Sequence, residues 1–256
     1  MVPAPHSLHA ASPEAIRLGA EAAEELDTVF TIHAAEGRYE VEDLRAATGR
    51  GPAAYLDGLG ALSERTVLVH GVWLADEDLD RIAARGARVV HNPGANAFLG
   101  DGIAPLLRMR ERGIPVALGT DGGCTNNRLS ILDEMRLASL LQRALHADGS
   151  LLSVRDALGM ATLEAAAVFG LDVGALQPGR LADIVALDLD DPALLPDTNL
   201  LSSAVYSAQS RAVRRVMVHG RDAVVDGRLV AMSSRDLAER VSAALARARS
   251  RGYLRP

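Results

Sequence analysis

The chain has 256 residues, 48% of them hydrophobic and 23% charged, which is the composition of a globular protein. Lys and Arg total 27 against 33 Asp and Glu, and the formal net charge of -6 argues against nucleic acid as a partner because no basic field is available. No apolar run approaches the roughly 20 residues that a membrane-spanning helix needs, so a transmembrane protein is excluded.

Apolar, β-branched runs alternate with helical stretches from Ser12 to about residue 119, which predicts a parallel sheet built from βα units. Such runs, without polar alternation, are typical of strands buried on both faces. The chain also begins in what reads as the end of a further strand, and it has neither the basic nor the apolar region of a signal peptide. The four predicted strands lie at residues 29–33, 66–70, 87–91 and 115–119.

Helices are predicted between these strands and after them. Ser12 is placed to cap a helix whose first residue is Pro13. The acidic residues 76–78 fit the first turn of another helix, where the helix dipole favours negative charge. Two longer helices are predicted after Asp121, over about residues 131–145 and 154–169.

The pattern changes again from about residue 177. Short strands are predicted at residues 184–187, 213–218 and 223–230, with tight turns at residues 178–179, 219–220 and 226–227, so this part should form a small antiparallel sheet. A final amphipathic helix is predicted over about residues 234–249.

Cys124 is the single cysteine of the chain. One thiol excludes an internal disulfide framework and a metal-binding cysteine pair. It also fits a reducing cytoplasm, which is the predicted location.

Five polar side chains follow the predicted strands closely. His33 ends its strand with Glu36 three residues later, which suits a metal ligand beside a proton-transfer group. A capping Glu beside a structural His is the alternative for that pair alone, and a buried hydrogen-bonded His is the alternative for His70. Taken together, the strand ends at His33, His70, His91 and Asp121 favour a metal hydrolase, because parallel strands present their carboxyl ends at one edge.

In the order and spacing of these residues, the sequence resembles the amidohydrolase superfamily. Within it, the sequence resembles the deaminase and chlorohydrolase group that includes S-adenosylhomocysteine and methylthioadenosine deaminases. The resemblance implies an α/β fold: a partial TIM-type (β/α)8 barrel, about strands 4 to 8, with a small C-terminal β-sandwich portion. The implied domains are residues 1–175, the partial barrel, 176–232, the small β-sheet portion, and 233–256, the C-terminal helix and tail. The segments that carry the resemblance are residues 5–7, 33–36, 68–74, 91–96, 99–105, 118–122, 126–127, 134–142 and 179–185.

The resemblance also implies a role for each candidate residue. His33 and Asp121 would be ligands of one divalent metal, zinc in the first place and iron as the alternative. Asp121 would also take a proton from water, Glu36 would pass that proton to the substrate, and His70 would orient the attacking group. The residues implied to contact substrate are His6 and His91.

One departure from the family pattern bears on the metal. Family members carry a His-x-His pair on the first strand, and no His-x-His occurs in this sequence, so two of the usual ligands are missing and binding of the metal is in question. A misassigned or truncated start, a split enzyme with a complementing N-terminal chain, and a relic without metal are all open. The predicted small-molecule substrate is of the purine or adenosine type. The alternatives to this function are a formimino or guanidino deiminase and a non-catalytic fragment. The predicted assembly is a homo-oligomer or a complex with a complementing N-terminal chain.

Overall fold

The computed structural model describes residues 1–253, apart from the side chain of Asp197, and places two four-stranded sheets among them. The first is parallel, in the order β1-β2-β3-β4, and the second is antiparallel, in the order β5-β6-β7-β8. The strands are β1 (Phe30–Ala34), β2 (Thr66–His70), β3 (Arg88–His91), β4 (Val116–Leu118), β5 (Ile184–Leu187), β6 (Val213–Val218), β7 (Arg221–Val225) and β8 (Arg228–Leu229).

Helices connect the strands of the parallel sheet and continue after it. Three short 3-10 helices, Pro192–Leu194, Asp197–Asn199 and Ser210–Ala212, lie between the later elements. The α-helices are α1 (Pro13–Glu25), α2 (Arg38–Thr48), α3 (Pro52–Gly58), α4 (Asp76–Ala84), α5 (Pro93–Leu99), α6 (Leu106–Glu111), α7 (Gly123–Asn126), α8 (Ile131–His146), α9 (Val154–Ala161), α10 (Leu163–Phe169), α11 (Leu200–Tyr206) and α12 (Ser234–Ser250). Within residues 1–253 no helix is both long and apolar enough to cross a membrane.

The parallel sheet is buried on both faces, as its continuous apolar runs predict. On one face the register places Ile32, Leu68, Val89 and Val116 side by side in the main core, against the helices. On the other face a smaller cluster forms beneath α10, and it consists of Val29, Val67, Val90, Ala117 and Val168. All four predicted strands of this sheet are confirmed, and each is correct to within one or two residues.

The first residues of the chain run alongside β1, on the side away from β2. The amide of Thr31 donates to the oxygen of Pro3, the amide of His33 donates to the oxygen of His6, and Ser7 forms a parallel bridge with His33. This segment therefore takes the place of a fifth strand, although it pairs through a single bridge. The α/β fold with a parallel sheet is confirmed, whereas the described residues do not close a barrel.

Two elements differ from their predictions for local reasons. The helix predicted over 154–169 is divided into α9 and α10, because Thr162 leaves the helical region (φ -133°, ψ -92°). The turn predicted at Asp226 and Gly227 forms, with positive φ at both residues, and it divides the strand predicted over 223–230 into β7 and β8. The strands β5 to β8 form one antiparallel sheet, and a second sheet of the expected sandwich is not among the described residues.

The helix ends form as the sequence predicts. The side chain of Ser12 accepts a hydrogen bond from the amide of Ala15 at the start of α1. In the first turn of α4, Asp78 is buried and accepts from the amides of Ala75 and Ala53, so it joins α4 to α3. These caps fix where the helices begin and thereby the length of each strand-to-helix loop.

Candidate active site and metal centre

Glu36, His70 and Asp121 meet at the carboxyl edge of the parallel sheet. Each offers one ligand atom, and the three atoms lie within 4.8 Å of one another. Nε2 of His70 is 3.5 Å from Oε1 of Glu36 and 4.0 Å from Oδ2 of Asp121. Two carboxylates and an imidazole at this spacing are a donor set for a divalent cation.

The backbone turns sharply at each of these strand ends. Ala35, His70 and Asp121 have φ values of 54°, 78° and 59°, in the left-handed region that residues other than glycine rarely adopt. Such conformations persist only where the surrounding structure enforces them, and they concentrate at functional sites. Gly71 continues the turn after His70 with φ 65°.

His70 is fully buried, and Asn96 contacts it from one side. Nδ2 of Asn96 lies 3.0 Å from Nδ1 of His70, whereas Nε2 has no hydrogen-bond partner among the described residues. Burial, and then the charge of His33, lowers the pKa of His70 to about 4, so the ring is neutral at pH 7. A buried polar atom without a protein partner, near two carboxylates, fits a site that holds a small polar group such as water.

His33 lies beside His70 in this group. Its ring centroid is 5.3 Å from that of His70 and 5.0 Å from that of His6, with which it stacks. Nδ1 of His33 forms a short hydrogen bond with the main-chain oxygen of His6. Because that oxygen can only accept, Nδ1 carries the proton and Nε2 keeps its lone pair, which is the arrangement that orients metal-binding histidines.

The two predicted substrate contacts lie in different environments. His6 is exposed next to His33, whereas His91 is only 2% exposed. Burial, and then the charge of His70, lowers the pKa of His91 to about 3, and neither of its ring nitrogens has a partner among the described residues. His91 therefore lies below the accessible edge, and its contact with substrate stays a prediction.

A comparison with known protein families agrees with this geometry. The amidohydrolase family model matches residues 2–228. The chain belongs to the amidohydrolase family.

Curated relatives of this amidohydrolase are deaminases by name. It is 40% identical over 227 residues to a 5-methylthioadenosine/S-adenosylhomocysteine deaminase of Pyrococcus abyssi, covering 89% of this chain and 53% of the relative. It is also 40% identical over 242 residues to a 5'-deoxyadenosine deaminase of Methanothermobacter thermautotrophicus, covering 94% of this chain and 57% of the relative. The chain thus spans about half the length of the relatives it matches.

Solved structures of similar proteins contain zinc. An adenosine deaminase from Xanthomonas campestris with bound zinc superposes with a TM-score of 0.92 at 30% identity, over 96% of this chain and 57% of that one. The zinc complex of atrazine chlorohydrolase from Arthrobacter aurescens gives a TM-score of 0.88 at 27% identity, over 94% and 53%. These neighbours share the fold of this amidohydrolase.

Several residues around the site are not singled out by the sequence. Glu40, buried on α2, accepts a hydrogen bond from the amide of Glu36 through Oε2 and faces His9. Asp101 is another of these residues, because burial, and then the negative charge of Asp101, raises the pKa of Glu36. Asn96 lies inside a segment of family resemblance, which was the only sequence signal for it.

Proposed function

We propose that this chain forms part of a metal-dependent deaminase site that releases ammonia from a purine or adenosine-type substrate. The convergence of Glu36, His70 and Asp121 next to His33 is the observation that carries the proposal. The deaminase names of the relatives support the substrate class.

His33, through Nε2, and Asp121 would hold the metal, for which we propose zinc, with iron as the alternative. The lone pair on Nε2 of His33 fits a cation at this edge. Zinc in the solved structures of similar proteins supports the same assignment. When bound, such an ion supplies the Lewis acidity that makes water nucleophilic near neutral pH.

Each of the other side chains has its own role in the reaction. Asp121 takes a proton from the attacking water, and Glu36 transfers it to the substrate ring. A raised pKa suits Glu36 to this transfer, because it binds a proton more readily than an exposed carboxylate. His70 orients the water through Nε2, and His6 contacts the substrate. Water adds to the amine-bearing carbon, the C–N bond breaks, and a carbonyl and ammonia are the products.

Two alternatives follow from the same residues. A formimino or guanidino deiminase would use the same proton transfers on a different C–N bond. A non-catalytic fragment is the other alternative, because two ligands hold a metal less tightly than three or four. A homo-oligomer or a complementing N-terminal chain, a cytoplasmic location, and the division at residues 175 and 232 stay predictions.

The test combines metal content with ammonia release by the purified chain. We expect close to one zinc per chain and release of ammonia from methylthioadenosine. Glu36→Gln should abolish ammonia release and keep the metal, whereas Glu42→Gln, on the exposed face of α2, should change neither. A metal content far below one per chain supports the non-catalytic alternative, and unchanged turnover in Glu36→Gln removes Glu36 from the reaction.

A further inference from the structure

Glu134 is a carboxylate buried completely in the interior, on α8. Oε2 accepts a hydrogen bond from the amide of Gly94 at 2.7 Å, and Oε1 accepts one from Nδ2 of Asn126 at 2.8 Å. Among the described residues it has no Lys or Arg within ion-pair distance. A buried carboxylate is costly unless donors compensate it, so these two bonds are what make the position tolerable.

The two donors belong to helices that follow adjacent strands. Gly94 lies in the first turn of α5, which follows β3, and Asn126 is the last residue of α7, which follows β4. A side chain at position 94 would place its Cβ 2.4 Å from Oε1 of Glu134, so the close approach requires glycine. Glu134 therefore joins α5 to α7, the helices that follow two adjacent strands.

Asn126 continues the connection to Asp121. Its Nδ2 also donates to the main-chain oxygen of Thr120 at 2.8 Å, and Thr120 directly precedes Asp121. Asp121 itself has positive φ, and its Oδ1 accepts from the amide of Gly122 at 2.6 Å. A turn in this strained conformation needs outside support, and Asn126 provides it at the peptide that enters Asp121.

We infer that Glu134 is a positioning residue that acts through Asn126 to hold the turn at residues 120–122, and so places Asp121 opposite His70 and Glu36. The inference rests on the proposed function where it predicts effects of Glu134 on zinc affinity and turnover. The predicted effect of Glu134 on the turn at residues 120–122 is independent of that function. The structural observation behind it is the continuous path Glu134–Asn126–Thr120, together with the hydrogen bond from the amide of Gly94 to Glu134.

The test uses Glu134→Gln, which keeps the shape of the side chain but turns one acceptor into a donor, and Asn126→Ala, which removes the bridge. In both variants we expect the Kd for zinc, measured by chelator competition, to rise by about tenfold or more, because residues that orient metal ligands have effects of this size. We expect kcat to fall with KM nearly unchanged. The double variant should be no worse than the stronger single variant, because both act along one path.

Ser139→Ala is the matched control. Ser139 is also buried on α8 and donates to the oxygen of Leu152, which belongs to neither α5 nor α7. It should lower the melting temperature without changing the Kd for zinc. Glu134→Gln behaving like Ser139→Ala, with lower stability and unchanged zinc affinity and kcat, would overturn the inference.

Amide hydrogen exchange separates this inference from the proposed function. Protection of the Gly122 amide, which donates to Asp121, should fall in Glu134→Gln and Asn126→Ala but not in Ser139→Ala. If the unaltered chain binds no zinc and releases no ammonia, the proposed function fails, and exchange at Gly122 then decides the inference. Unchanged protection in both variants contradicts it.

Discussion

The amide nitrogen of Asn96 lies 3.0 Å from Nδ1 of His70, and both side chains are buried. An amide nitrogen can only donate, so Nδ1 accepts and the neutral ring carries its proton on Nε2. That N–H faces Glu36 and Asp121. Asn96 therefore selects the tautomer in which His70 is a hydrogen-bond donor toward the site, which is consistent with a role in orienting water and not in binding the metal.

Asn96→Asp tests this selection directly. The carboxylate can only accept, so it should draw the proton to Nδ1 and leave a lone pair on Nε2 facing two carboxylates. In that tautomer His70 can no longer donate a hydrogen bond to the attacking water. We therefore expect ammonia release to fall by about 100-fold or more, as for other histidines held in the wrong tautomer. Nitrogen-15 NMR of the histidine ring reports the tautomer. Asn199→Asp, at the exposed N-cap of α11, makes the same change away from the site and should have no effect on turnover.

His91 should make the fold sensitive to acid. Burial lowers its pKa to about 3, below the ordinary value near 6.5, so between these values the unfolded chain binds a proton that the folded chain does not. Stability is therefore complete above about pH 6.5 and falls as the pH is lowered toward 3, by on the order of 2 kcal/mol at pH 5.

His91→Phe keeps a ring and removes this proton-binding group. We expect urea unfolding curves at pH 7 and pH 5 to differ less in His91→Phe than in the unaltered chain. His146→Gln, which replaces an exposed histidine at the end of α8, controls for the loss of one imidazole. An equally steep loss of stability in His91→Phe would show that His91 is not the source.

Arg110 joins α6 to the two helices that follow α8. Its guanidinium donates to Asp156 and Glu164, each at 2.9 Å, and all three side chains are about one-quarter to one-third exposed. Arg110→Met should lower the free energy of unfolding by about 1–2 kcal/mol, because two partly buried carboxylates lose their common partner while solvent screens part of the loss. Arg17→Met, which removes the exposed pairs with Glu14 and Glu21, is the control and should leave the unfolding midpoint nearly unchanged.

Gly94→Ala should be destabilising for a steric reason. The added Cβ would lie 2.4 Å from Oε1 of Glu134 and 2.8 Å from Nδ2 of Asn126, and both groups are held by hydrogen bonds. We expect a loss of about 1–3 kcal/mol in the free energy of unfolding, as for other overpacked interiors. Gly149→Ala meets nothing within 4 Å and serves as the control. Equal melting temperatures of the two variants would contradict the close packing around Glu134.

The strand ends of the parallel sheet could be predicted because each strand is a short apolar run that stops at a polar residue. That pattern sets the positions of His70 and Asp121 along the chain, and the shared direction of parallel strands brings them to one edge. The break at Thr162 could not be predicted, because α9 and α10 each have a helical pattern and only their packing separates them. By contrast, the turn at Asp226 and Gly227 could be predicted from the Asp-Gly pair, and only the ends of the two short strands beside it could not.

The sequence could not predict the polar contacts that support the site, because the two partners of each contact lie far apart along the chain. Asn96 is 26 residues from His70, and Glu134 is 40 residues from Gly94. A single Asn or Glu in a helical stretch is usually solvated, so nothing in its own neighbourhood along the chain indicates burial. Only the fold, by placing α5 and α8 behind the strand ends, gives these residues their partners.

The main-chain oxygen of His6 accepts from both the amide and the ring of His33, so this imidazole is anchored by a stretch only a few residues from Met1. Because a main-chain atom makes both contacts, replacing the imidazole of His6 would remove its stacking on His33 but leave this anchor in place.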